Sequence, residues 1–191
     1  MAAVRLALIY GSTRQGRLCD KVAGWAIGQI EQRGGFALDV IDPAAMALPA
    51  RHETEPNAAV EDLRRRIDEA DAFVVVTPEY NHSFPAAVKL VIDLVGAPWR
   101  AKPVGFVSYG GVSGGLRAVE QLRLVFAELH AVGIRDSVSF ALVRSFIDGE
   151  GRFTPSPQAH AAMALMLRQL DWWAAALGEA RQRRPYAEAA A

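Results

Sequence analysis

The residues best placed to do chemistry lie in Gly11-Ser-Thr-Arg-Gln-Gly-Arg17. An apolar run ends there in a glycine, two hydroxyls and two arginines, and a helical pattern begins at about Leu18. That set suits a phosphate. Gly11 permits a tight turn beside a ligand. Ser12 and Thr13 offer hydroxyl donors, and the loop amides, with the helix N-terminus that follows, favour an anion. Arg14 and Arg17 add charge-assisted hydrogen bonds to phosphate oxygens. The segment reads equally well as an ordinary strand-turn-helix connection with solvated arginines, because Gly-Ser-Thr is common in turns.

Two further loops carry chemistry-bearing residues. In Thr77-Pro-Glu-Tyr-Asn-His-Ser-Phe-Pro85, Pro78 fixes the exit from a strand, and the amides of Glu79, Tyr80 and Asn81 could meet the heteroatoms of a flat ring. Tyr80 adds an apolar face with a polar tip. The alternative is a polar loop that caps a helix, with Ser83 as N-cap. In Ser108-Tyr-Gly-Gly-Val-Ser-Gly-Gly115, the four glycines let backbone approach a ligand and leave amides available for carbonyl oxygens. The alternative there is a flexible loop. A phosphate cradle, an aromatic-polar loop and a glycine-rich loop together suit a phosphorylated flat ring.

The elements that must position these loops follow from hydropathy. Strands are predicted over residues 5–10, 72–77, 103–108 and 136–143, with a weaker one over 37–41. Their near-continuous apolar character indicates strands covered on both faces. Helices are predicted over 18–32, 57–70, 83–94, with Pro85 in its first turn, 113–131 and 156–177. Alternating strand and helix implies a doubly wound parallel sheet, in which ligands bind beyond the carboxyl ends of the strands. A single domain is expected over residues 1–178, with a frayed or disordered, solvated tail over 179–191. Residues 42–56 form the longest loop-like segment, which either folds over a ligand or simply connects.

Composition excludes several classes. The 191 residues are 51% hydrophobic and 22% charged, with Lys+Arg and Asp+Glu both at 21, as in a soluble globular protein without a basic face for nucleic acid. The short N-terminal apolar run, broken by Arg5, is neither a signal peptide nor a membrane span. The cytoplasm is the default expectation. Cys19 is the only cysteine, so neither a disulfide framework nor a cysteine-based zinc site is expected. His52, His82, His130 and His160 show no metal-ligand spacing. No G-x-G-x-x-G follows the first strand, and no Walker-type loop or nucleophile elbow occurs. Cys19 reads as a packing residue and His82 as a surface loop residue. Trp172 and Trp173 read as a pair packed in the core.

The three loops, in this order, resemble the NADPH-dependent FMN reductase family of the flavodoxin-like fold, over roughly residues 4–173. The most specific motif is Pro78-Glu-Tyr-Asn followed by Ser83-x-Pro-x-x-x-Lys-x-x-Ile-Asp93. The resemblance implies a three-layer α/β/α domain with a five-stranded parallel sheet in the order 2-1-3-4-5, and bound FMN. It assigns the FMN phosphate to Ser12, Arg14, Gln15, Gly16 and Arg17. The ring edge falls to Pro78, Glu79, Tyr80 and Asn81, and its other polar edge to Ser108, Gly110 and Gly111. It further implies NADPH or NADH as reductant and a quinone, azo compound, metal oxyanion or free flavin as acceptor, with no catalytic acid or base and no metal. A homodimer or homotetramer, with the helix of residues 83–94 in the interface, is implied as well. The chain departs from many relatives at Leu18-Cys19 and at Leu90-Val91. The competing readings are a non-enzymatic carrier like flavodoxin, whose acidic face and T-x-T-G-x-T loop this chain lacks, and a flavin-binding sensor.

Overall fold

A computed structural model describes residues 3–51 and 55–189. His52 and part of the loop-like segment 42–56 lie outside them. Strands β1 (Val4–Tyr10), β2 (Phe36–Ile41), β3 (Ala72–Pro78), β4 (Pro103–Tyr109), β5 (Val132–Gly133) and β6 (Val138–Phe140) form one parallel sheet, ordered β2-β1-β3-β4-β5, with β6 also on β4. The expected five-strand order holds, but the last strand is divided. Its first piece pairs with Pro103 and Val104, its second with Val107 to Tyr109. Arg123 of helix α4 (Leu116–Glu128) donates to the carbonyls of Ile134 and Arg135 at the break, replacing the partners the ladder would have supplied.

The sheet separates two apolar cores. Leu6, Leu8, Val74, Val76 and Val107 face α1 (Cys19–Arg33) and α5 (Pro157–Arg183). Ala7, Ile9, Phe73, Val75 and Phe106 face α2 (Ala58–Glu69), α3 (Ala86–Val95) and α4. Continuous apolar strands are therefore alternating strands with a core on each side. Trp99 is fully buried between Phe73 and Phe126, at ring distances of 4.7 and 5.4 Å. Among the described residues no helix is long and apolar enough to cross a membrane.

Three expectations change. Helix α5 continues past Leu177 to Arg183, and a short helix α6 (Tyr186–Ala189) follows, so the segment expected to fray is largely helical. Arg181 donates to the Ala101 carbonyl and the Tyr186 hydroxyl lies 3.1 Å from His130 Nδ1; these contacts hold the end against the body. Trp172 is 64% exposed, and only Trp173 packs against the core, because neighbours on a helix point about 100° apart. Pro85 stands immediately before α3 as its N-cap residue rather than in its first turn.

Val88 and Val91 of α3 are each 1% exposed and belong to the protomer's own core. A charge at either position would disrupt the protomer before any subunit contact. Val88→Asp should lower unfolding free energy by more than about 3 kcal/mol, read from urea midpoints, since it buries an unpaired carboxylate. An unchanged midpoint would show that this face of α3 is not packed as described.

Candidate functional site

Parallel register brings the carboxyl ends of the strands level. Tyr10 pairs with Val76, Thr77 with Ser108 and Pro78 with Tyr109, so the three loops leave β1, β3 and β4 side by side. The first two border a cleft of about 550 Å³, lined by Thr13, Arg14, Glu79, Tyr80 and Asn81 with the start of α3. That volume lies within the range of small-molecule sites.

The first loop is fixed from below. Gly11 donates to the Val76 carbonyl at 2.7 Å, and a Cβ there would sit 2.6 Å from that oxygen and 2.9 Å from Thr77 Cα. This glycine is required by the neighbouring strand. Ser12 is fully buried, and its Oγ lies 2.9 Å from the Tyr80 hydroxyl, joining the first loop to the second.

Arg17 does not point free donors at the cleft. Its Nε donates to Asp20 at 2.7 Å, Nη1 donates to Asp42 at 2.8 Å and to the Ser12 carbonyl, and Nη2 donates to the second Asp42 oxygen. The guanidinium also lies over the Tyr10 ring at 4.9 Å. The Arg17 hydrogen bonds hold the Asp42 carboxyl below the ordinary aspartate range. Arg14 differs. Its guanidinium stacks over the Tyr80 ring at 5.0 Å, and among the described residues it has no hydrogen-bonded or ionic partner. The amides of Gln15, Gly16, Arg17 and Leu18 also lack a protein acceptor among the described residues. Gly16 has φ 64°, the left-handed turn that presents successive amides on one side.

The second loop is a tight turn. Tyr80 and Ser83 exchange backbone hydrogen bonds of 2.8 and 3.0 Å, with Asn81 and His82 between them at φ 49° and 70°. Positive φ at both central residues is the type I′ pattern. The amides of Glu79 and Tyr80 are consumed, one by the Tyr109 carbonyl and one by the Ser83 carbonyl, so of the three amides expected at a ring edge only that of Asn81 has no protein acceptor among the described residues. The Ser83 hydroxyl donates to Gln121 and caps no helix. The Glu79 carboxylate turns away to α4 and accepts from the Arg117 amide at 3.2 Å and its guanidinium at 3.0 Å. Burial opposes the Glu79 charge, but Ser113 and Arg117 outweigh it and hold the carboxyl below the ordinary glutamate range. The His82 side chain is exposed, and its carbonyl accepts from Gln121.

The third loop is ordered by its own bonds. The Ser108 hydroxyl, fully buried, donates to the Gly114 carbonyl at 2.9 Å, as does Ser139. Gly110 donates to the Phe140 carbonyl, and Val143 and Leu142 donate to the carbonyls of Gly110 and Gly111. Gly114 and Gly115 have φ 63° and 87°, and a Cβ on either would strike Ser139, Ser108 or Tyr109 within 3 Å. Gly111 is different: its Cβ would meet nothing within 4 Å, and among the described residues its amide has no protein acceptor. Below the loops, Cys19 is buried with its thiol 3.6 Å from the Val76 carbonyl, and burial pushes that thiol up.

The pattern of NADPH-dependent FMN reductases matches residues 4–144. The chain belongs to that family. It is 29% identical over 140 residues to the NAD(P)H-dependent FMN reductase LOT6 of Saccharomyces cerevisiae, covering 64% of this chain and 73% of that one. Against an NADPH:quinone oxidoreductase of Arabidopsis thaliana it is 32% identical over 139 residues, covering 68% and 70%. It is also 32% identical over 123 residues to an NAD(P)H-dependent FMN reductase of Schizosaccharomyces pombe, and there the match spans only 60% of the relative's length. The fold matches that of FerB, a flavoenzyme NAD(P)H:(acceptor) oxidoreductase from Paracoccus denitrificans, with TM-score 0.71 at 22% identity over 90% of this chain and 97% of that one.

This family member thus gathers the three loops expected from sequence. Within them, the Arg14 guanidinium, the amides from Gln15 to Leu18, and the amides of Asn81 and Gly111 have no protein acceptor among the described residues, while Ser12, Arg17, Glu79 and Ser108 brace the scaffold. Asp42, Ser113 and Arg117 were not singled out from sequence. Position was the available signal for Asp42, which stands just past the carboxyl end of β2, beside the loop after β1.

Asp42 is depressed in the folded state, so its stabilisation is complete above the ordinary aspartate pKa and is lost as pH falls below it. Asp42→Asn should cost about 1–3 kcal/mol at pH 7. The gap from the unmodified chain should narrow progressively as the pH falls below the ordinary aspartate value, as measured by urea unfolding across that range. A gap that persists undiminished in acid would show that the pair does not carry this stability.

Proposed function

We propose that the chain binds FMN and acts as an NAD(P)H-dependent oxidoreductase, passing electrons from NADPH or NADH to a small acceptor. The observation that carries this is a set of donors without a protein acceptor among the described residues, on three loops at the same end of the sheet. The Arg14 guanidinium and the amides from Gln15 to Leu18 lie on the first loop, and the amides of Asn81 and Gly111 lie on the other two. The first group suits a phosphate. The second suits the carbonyls and nitrogens of a flat heterocycle. Bound FMN supplies the hydride chemistry.

The chain's own residues orient and stabilise. Arg14 and the loop amides hold the phosphate, and Ser12 and Arg17 fix the loop that presents those donors. Amides at Asn81 and Gly111 oppose negative charge that develops on the ring. Tyr80, stacked under Arg14 and bonded to Ser12, ties the phosphate end to the ring end. No side chain is assigned as acid or base. Relatives named as quinone oxidoreductases and FMN reductases support a quinone or a free flavin as acceptor. An azo compound or a metal oxyanion belongs to the same class of small acceptors. The same reading places the protein in the cytoplasm, where pyridine nucleotides supply reductant. It also makes the protein a homodimer or homotetramer through the solvent face of α3 around Ala86 and Leu90.

Anaerobic addition of NADPH to the FMN-loaded protein should bleach the flavin absorbance within seconds, and a quinone should restore it. A spectrum that neither nicotinamide changes would instead favour a carrier or sensor. Arg14→Ala should weaken FMN binding at least about tenfold while leaving the unfolding midpoint within error, since among the described residues this side chain makes no hydrogen bond or ion pair and only stacks on Tyr80. Equal FMN affinity in the two proteins would remove Arg14 from the phosphate site.

A further inference from the structure

A second cluster of charge lies at the other end of the sheet. The amino ends of β1, β3 and β4, the end of α2 and the last turns of α5 border a cavity of about 370 Å³. Arg5, Arg100, Lys102 and Arg181 line it, against only Asp68 and Asp71; four cations less two carboxylates leave a surplus of two positive charges.

Lys102 is 6% exposed; its Nζ donates to the carbonyls of Ile67 at 2.9 Å and Asp68 at 2.7 Å and lies 5.9 Å from the centre of the Phe73 ring, and among the described residues its third N–H has no hydrogen-bonded partner. Asp71 is shared. It accepts from the Arg5 amide at 3.0 Å, lies 3.5 Å from Arg5 Nε, and lies 3.8 Å from Arg181 Nη2. Arg100 has no ion pair and no side-chain hydrogen bond among the described residues. Burial, reinforced by Arg181 and Arg5, lowers Lys102 to about 8 despite the opposing pull of Asp68 and Asp71. Burial and Arg5 also hold Arg181 below its ordinary value. Cations crowded at a partly dry site with too few counter-charges are relieved when an anion joins them.

We propose that this cavity binds a phosphate dianion, as the free ion or as the head of a small phosphate monoester, through Lys102 and Arg100 in the field of Arg5 and Arg181. The surplus of two charges matches a dianion, and Arg100 and the third Lys102 donor are available to it. The site is separate from the flavin cleft, and its test does not depend on flavin binding.

The chain has three lysines, Lys21, Lys89 and Lys102, so each side-chain amine can be followed separately by NMR of lysine-labelled protein. Inorganic phosphate, added at constant ionic strength against chloride, should shift the Lys102 signal saturably and raise its titration midpoint, with Lys21 and Lys89 unmoved. Arg100→Ala should weaken that response about tenfold. A parallel titration with glycerol phosphate separates the two sources. A tighter response means a monoester ligand, and a response to inorganic phosphate alone means the free ion. A Lys102 signal that ignores phosphate, follows chloride equally, or responds identically in Arg100→Ala overturns the proposal.

Discussion

Everything at the ligand end of this molecule rests on how closely the end of β1 lies against the end of β3. Gly11 makes that approach possible, and the hydrogen bond to the Val76 carbonyl fixes it. Once these strand ends are level, the chain has no choice about where its first two loops emerge. The sheet's parallel register then adds the third loop at the same height. Binding loops on a shared edge are a geometric consequence of parallel pairing, before any ligand enters the argument.

Loops placed together still need fixed shapes. Internal bonds shape the second and third loops, and contacts between neighbours tie the loops together. Ser12 meets Tyr80 across the first pair, Glu79 reaches from the second loop to the helix behind the third, and Asp42 holds Arg17 from the end of β2. Polar side chains with partners at both ends lose little further entropy when a ligand arrives, which is the advantage of a preorganised site. The donors left unused are mostly backbone amides, whose positions are set by the fold.

Sequence made the scaffold legible because period and composition are local properties. Apolar runs such as 72–77 announce a buried strand whatever surrounds them. The glycine and proline punctuation located all three loops, and the resemblance carried by Pro78-Glu-Tyr-Asn gave them an order of use. Residue roles were less legible. Arg14 and Arg17 share a loop and a charge, yet among the described residues one only stacks on Tyr80 while the other is bound by a carboxylate just past β2. Glu79 looks like a ligand residue in the motif but caps a helix. These assignments depend on partners distant in sequence, and periodicity does not encode them. The end of the chain was misjudged for the same reason: Arg181 is basic and near a terminus, but Ala101 gives it a buried partner.

Cys19 sits directly under the first loop, sealed by burial and lying against the Val76 carbonyl. Its thiol can meet a reagent only when α1 and the loop lift from β3 together. Alkylation of this single thiol therefore serves as a clock for that local opening, and whatever clamps the loop from above slows the clock.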